Sequence, residues 1–534
     1  MNAKEFLKLH LSQVNPLQTA ACIAYRDSSI SGDQKDYDKF EELQIKLNDF
    51  YTDKNMFAIL QEIKKNEVIS DPLMKREIEI VYDNFLWSQA DKSTIELLIK
   101  QQTEIEKKFS TFRAQAGDQS LTDNEVDDIL QNSNDSKQLQ TVWEAHKKVG
   151  ALVAEDVREL ARLRNKIAQE VGFENYHTMS LTLSEQNLSD IEKLFDELDI
   201  LTRPAFMEVK NEIDEHLSHV LNITKDQLRP WHYKNKFFQE FPSIYPGLNF
   251  DSYFKDQNIE TLSKDFFASI GVDVTSIIAR SDLYEKPWKN QHAYCIHIDK
   301  AGDVRTLCNL KPNHKWMDTM LHELGHAIYD QHIDFNLPSP LVSPAHTFVT
   351  EAIAMFFGRL ASDAQRIQDM LHISNEEKEK ISSVAKKTSR LKQLLFSRRA
   401  QVMYRFEKAL YNNPEQDLDT LWRDLVENYQ GLVRPESRKL PDWASKIHIA
   451  TSPCYYHNYL LGELLASQIS HVLGEKFFGT ENIQDQHITW KKEIWAFLKE
   501  HVFALWSLYP WNELIKKATG EWLTSKYFAK EFIG

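Results

Sequence analysis

Glycine and proline are both scarce, 15 and 16 residues among 534. A glycine-rich phosphate loop and a turn-rich β architecture therefore find little support. Four cysteines (Cys22, Cys295, Cys308 and Cys454) are too few and too scattered for a disulfide framework, and they read as reduced thiols. No stretch approaches the ~20 apolar residues that span a bilayer. The opening MNAKEFLKLHLSQVNPLQ lacks the apolar run and small-residue cleavage site of a secretory signal. A cytoplasmic location is expected, or a periplasmic or secreted one if a leader has been removed. Basic excess is missing too. Lys and Arg number 64 against 79 Asp and Glu, a net charge of −15 with no basic stripe, so nucleic acid and anionic membranes are poor partners.

What remains is rich in Leu, Lys, Glu, Gln and Ala, which predicts a predominantly α protein. Apolar residues recur at three and four along 16–63, with a polar break at 28–36, and again along 71–90, where Pro72 suits a helix start, and 92–109. Residues 109–121 read as a short hairpin turning at Gly117-Asp118, and Thr122 with Glu125 forms a capping box. Helices are predicted at 136–185, broken at Gly172, and at 187–220. The aromatic stretch 230–246 has no period and reads either as core filling or as a substrate-facing wall. A strand pair is predicted over 291–310. Turning it about Ala301-Gly302 sets Cys295 opposite Cys308, within reach of a bridge in an oxidising compartment. Asn313 caps a helix at 314–332, followed by helices at 347–366, 375–412, 418–427 and 455–473. No internal repeat or low-complexity linker divides the chain, so one domain over 1–534 is expected.

The helix at 314–332 carries His322-Glu323-Leu324-Gly325-His326. Two imidazoles four residues apart lie one turn above each other and can share one zinc ion, and Glu323 is placed to act as a base toward a water activated there. Alone, the pattern is also met by a solvated helical face. Glu351, at the edge of an apolar stripe on the following helix, is the residue that turns the pair into a His2Glu site, because an acid there is costly unless paired or metal-bound. The predicted strand pair offers an edge for an extended peptide. Further on, Lys446, His448, Tyr455, Tyr456 and Tyr459 cluster in sequence. They read either as oxyanion and carboxylate partners for peptide hydrolysis or as ordinary core aromatics.

These stretches, together with Phe109-Ser110-Thr111, Asn165 through Gly172, His292-Ala293, TEAIAMF around Glu351 and Pro510-Trp511 through Gly520, resemble the angiotensin-converting-enzyme-like peptidyl dipeptidases of the gluzincin group almost end to end. The resemblance implies a helical ellipsoid with a deep central cleft, a small antiparallel hairpin beside the zinc helix, a lid-like part over 1–108 and a cleft and catalytic part over 109–534. It implies one zinc ion on His322, His326 and Glu351, with Glu323 as general base and then acid, and His448 with Tyr459 stabilising the intermediate. His292 and Ala293 would contact the peptide. Lys446 and Tyr456 would hold its C-terminal carboxylate, with Tyr455 as a substitute because one residue is inserted between His448 and the tyrosine pair.

Three positions depart from the family pattern. The family's carboxylate-pocket Gln has its nearest counterpart here around Trp231-His232-Tyr233. Asn458 replaces an Arg that helps bind chloride, so chloride activation is not expected. Met355 replaces an acidic residue that buttresses a ligand. The implied activity is zinc-dependent hydrolysis of short peptides by a monomer, releasing C-terminal dipeptides. The alternatives are an oligoendopeptidase of the thimet and oligopeptidase F type, and a helical peptide-binding scaffold with a residual metal site.

Overall fold

A computed structural model describes residues 1–533 except 241, 243, 246–249 and 437. Among the described residues there are 22 α-helices and two two-stranded antiparallel sheets, so the protein is predominantly α. None of these helices is long and apolar enough to cross a membrane. The chain forms two compact units. The first takes Met1–Gln89, Gly247–Ala385 and Leu461–Tyr527, and the second Ala90–Pro246, Lys386–Leu460 and Phe528–Gly534.

The first unit opens with the helix Ala3–Ser31. Asn2 and Glu5 satisfy each other's backbone N–H in a capping box at its start, and Gly32 ends it at φ 67°. Pro16 lies inside this helix, whereas the sequence pattern placed it at the start. A mid-helix proline costs about 3 kcal/mol. Burial of Phe6, Leu7, Val14, Ala21 and Ala24 on either side of it outweighs that, at roughly 1.5–3 kcal/mol per large apolar side chain. The helices Gln34–Tyr51, Lys54–Asn66 and Pro72–Trp87 follow, and Phe6, Leu60, Val81 and Phe85 form the centre of a local core.

The motif helix runs His314–Gln331, with the Asn313 side chain accepting the Trp316 N–H at 2.9 Å as the sequence predicts. Its inward stripe of Met317, Met320, Leu321, Leu324 and Ile328 is fully buried. The next helix, Thr347–Arg359, buries Phe348, Val349, Ala352, Ile353 and Phe356. It stops short of the predicted residue 366, because Asp363 accepts the Arg366 N–H and starts a separate helix, Ala364–Leu371. The two long helices touch at Gly325, where a Cβ would stand 2.9 Å from the Cα of Ala354. The motif's one glycine is thus a contact point between backbones.

The strands Tyr294–His297 and Val304–Leu307 pair in the register Cys295↔Thr306. Cys308 therefore lies beyond the end of its strand, not opposite Cys295, and all four thiols are free. The Asp299 side chain explains the shift: its Oδ1 accepts the N–H groups of Ala301 and Asp303 and builds a wider loop than a two-residue turn.

In the second unit, Ser136–Glu170 and Leu188–Leu221 start on Asp135 and Asn187. The hairpin Ala114–Ala116 with Gln119–Leu121 turns on Gly117 at φ 63°, and Thr122 with Glu125 forms the predicted capping box. Trp231, Tyr233 and Phe238 from the aromatic stretch join the core with Leu139, Phe206 and Leu394. The predicted 375–412 helix is observed as Asn375–Asn412. Tyr455 and Tyr456 belong to a turn ahead of the helix His457–Phe478 rather than to the helix itself.

Candidate active site

In the first unit, His322 and His326 lie one turn apart, edge to face, with ring centroids 4.9 Å from each other. Glu351 Oε2 approaches His322 Nε2 at 3.7 Å and His326 Nε2 at 3.9 Å, and one donor atom from each residue lies within 4.8 Å of the others. Ligands at zinc bond lengths in a tetrahedron sit roughly 3.3 Å apart, so Glu351 needs to close on each histidine only by about half an ångström. Two imidazoles and a carboxylate suit zinc and leave a fourth position open. Thr350 steers the second ligand: its Oγ1 lies 2.7 Å from His326 Nδ1, which points Nε2 at Glu351. Met355, which stands where the family pattern has an acidic residue, has its Sδ 3.2 Å from where a Cβ on Gly462 would stand. Glu351 Cβ lies 3.3 Å from the same point. One turn on, Arg359 Nε donates to Glu463 Oε2 at 2.9 Å and fixes the Glu351 helix against the segment that carries Gly462.

Glu323 is 6 % exposed, and burial, reinforced by the Glu351 charge, pushes its carboxyl up to about 8. Cation binding at the adjacent donors acts in the opposite direction. His292 and Ala293 precede the strand Tyr294–His297 rather than forming part of it, and the His292 N–H donates to Asn290 Oδ1. Ile298 N–H pairs with Asp303 O across the hairpin. By antiparallel alternation, the backbone groups of Cys295 and His297 then face away from the partner strand.

In the second unit, Lys446 is 6 % exposed and donates to Gln239 Oε1 at 2.7 Å. Burial, then the Arg399 and Lys236 cations, pull its ammonium down to about 7, against a weaker pull from Glu240. Tyr456 and Phe237 flank it, with ring centroids 5.2 and 5.1 Å from Nζ. Burial and the Lys446 and Arg399 charges hold His448 down to about 4, so it is a neutral imidazole, and its buried Nδ1 has no hydrogen-bond partner among the described residues. Lys446, Gln239, His448 and Phe237 share one cavity of about 420 Å³. Tyr456 lies 5.5 Å from His448 and bonds Arg399, whereas Tyr455 packs on Tyr459 at 5.2 Å. Tyr456 is therefore the one of the pair beside Lys446. Asn458 is buried and accepts from Gln186 at 2.8 Å.

Gln239 is the residue that sequence reasoning missed. Trp231, the expected neighbourhood of a pocket amide, packs on Trp143 at 5.9 Å and donates to His232. The available signal was slight: Gln239 is the sole glutamine of the aperiodic stretch 230–246.

The Carboxypeptidase 1 of Bacillus subtilis (strain 168) is 24% identical to this chain over 265 residues, covering 44% of this chain and 50% of the relative. The chain thus matches about half the length of that curated relative. The sequence profile described as angiotensin-converting enzyme matches residues 1–528, nearly the whole chain. The chain belongs to the angiotensin-converting enzyme family of peptidases.

Proposed function

We propose that this protein is a zinc peptidase that removes dipeptides from the C-terminus of short peptides. The observation that carries the specificity is the buried Lys446–Gln239 pair. An ammonium with its pKa lowered to about 7, beside an amide whose N–H2 donates to none of the described residues, is a receptor for a carboxylate, and a bound carboxylate would recharge the lysine.

The zinc would be held by His322, His326 and Glu351, and it supplies Lewis acidity to the scissile carbonyl and the attacking water. Glu323, buried beside the two histidines, takes the water's proton and delivers it to the leaving amine. Thr350 keeps His326 in the tautomer whose Nε2 is a donor to the metal. Tyr459 and His448 stabilise the developing oxyanion, and Lys446, Gln239 and Tyr456 hold the terminal carboxylate, with Tyr455 supporting Tyr459. His292, Ala293 and the outward edge of Tyr294–His297 align the peptide backbone.

The test is mass spectrometry of products from a defined peptide mixture, with zinc content measured on the same sample. Products shortened by two residues, abolished by chelation and by Glu323→Gln, are expected. Internal cleavage that ignores the C-terminus would point instead to an oligoendopeptidase.

A further inference from the structure

We propose that Asp330 selects peptides with a lysine or arginine side chain in the segment upstream of the cleaved bond, an inference that rests on the peptidase reading above. Asp330 follows His322 and His326 at the same four-residue step, so it continues the ligand face of the motif helix by one turn. It lines a cavity of about 610 Å³ in the first unit. One wall of that cavity is the strand edge from Cys295 to Ile298, and the other is the N-terminal helices, through Gln18, Thr19 and Phe40. The outward backbone groups of Cys295 and His297 make this edge a place for an extended chain to pair.

The charges in the cavity leave one carboxylate unanswered. Asp299 spends its Oδ1 on the loop N–H groups of Ala301 and Asp303. Burial holds His297 down to about 4, so it is neutral. Among the described residues no donor reaches the Asp330 carboxylate, and burial pushes it up to about 6 against the pull of Lys300. The Lys300 ammonium itself points to Ser343 Oγ at 3.4 Å and forms no ion pair with Asp330. The amides and hydroxyl of Asn15, Gln18, Thr19 and Gln44 add no second charge. A cationic side chain entering this cavity gains a charge-assisted bond that neither a neutral nor an acidic one can make.

The test uses twin peptides that differ only in lysine against norleucine, or arginine against citrulline, at each of the three positions upstream of the cleaved bond. The full-length enzyme is expected to favour the cationic twin at one position by at least about tenfold in kcat/KM. Asp330→Asn should collapse that ratio toward one. Lys300→Ala, which removes the competing ammonium, should raise it. Equal rates for both twins at all three positions, or an unchanged ratio in Asp330→Asn, would overturn the proposal. Should Asp330→Asn fail to fold, the arginine and citrulline comparison in the unaltered enzyme and the Lys300→Ala shift still decide. Binding of the same twins to Glu323→Gln separates the two readings. A cation preference in binding without turnover of any peptide would support the Asp330 site and defeat the peptidase reading.

Discussion

Replacing Lys446 by methionine tests the carboxylate receptor directly. The side chain is 6 % exposed and packed between Phe237 and Tyr456, so an unbranched apolar replacement fills the same space. What it removes is a charge-assisted hydrogen bond to the substrate, worth about 1.5–3 kcal/mol in a buried setting. That converts to roughly a ten- to hundredfold loss in kcat/KM for a peptide with a free C-terminus. The same peptide capped as an amide should lose little. The assay is the ratio of kcat/KM for the free-acid and amide forms, followed by liquid chromatography and mass spectrometry.

The pH dependence follows from the lowered Lys446 pKa of about 7. The protonated form binds the carboxylate and is depleted as pH rises through 7. KM for the free-acid peptide should then climb by up to tenfold per unit, while the amide form stays flat. Its loss of charge relieves the burial penalty, so this group's contribution to fold stability rises with pH above about 7, where the unfolded chain binds more protons than the folded one. A Lys446→Met enzyme that keeps the full free-acid preference, or an unchanged preference from pH 6 to 9, would refute the reasoning.

Two further outcomes follow from the ligand helices. Gly325→Ala drives a methyl to 2.9 Å from the Ala354 Cα, and because the obstacle is backbone the helices must separate. A stability loss of about 1–3 kcal/mol by denaturant titration, with weakened zinc binding by competition, is expected, and an unchanged midpoint and affinity would contradict it. Chelation should lower the thermal midpoint by several degrees, since a site filled at a thousand times its Kd contributes about 4 kcal/mol to the folded state, and zinc should restore it. A midpoint indifferent to chelator and zinc would argue against the His322, His326 and Glu351 site.

Local chemistry was readable in the sequence wherever it acts over three or four residues. Asn313 and Thr122 cap the helices predicted from them, and the four-residue step of His322 and His326 needed only a helix to become a candidate site. Features fixed by distant partners were not. Gln239 is placed by an irregular segment held from elsewhere, with Gln430 donating to the carbonyls of Phe237 and Phe238. No period in 230–246 records that support. The hairpin register slipped for a related reason: an Asp299 side chain that gathers two N–H groups outweighs the preference for a tight turn at Ala301-Gly302. Choosing between Tyr455 and Tyr456 likewise required knowing that both precede the helix His457–Phe478, in a turn where neighbours point in different directions.

The contact of Gly462 and Glu463 with the Glu351 helix also sets an order on biosynthesis. Arg359 and Glu463 are 104 residues apart in the chain. A ribosome has therefore finished all three candidate metal donors before it makes the segment that packs behind them. Until then the Glu351 helix lacks the Gly462 and Glu463 contacts that back it. A product truncated after residue 400 would carry the whole His322 to Glu351 motif and still lack a finished centre.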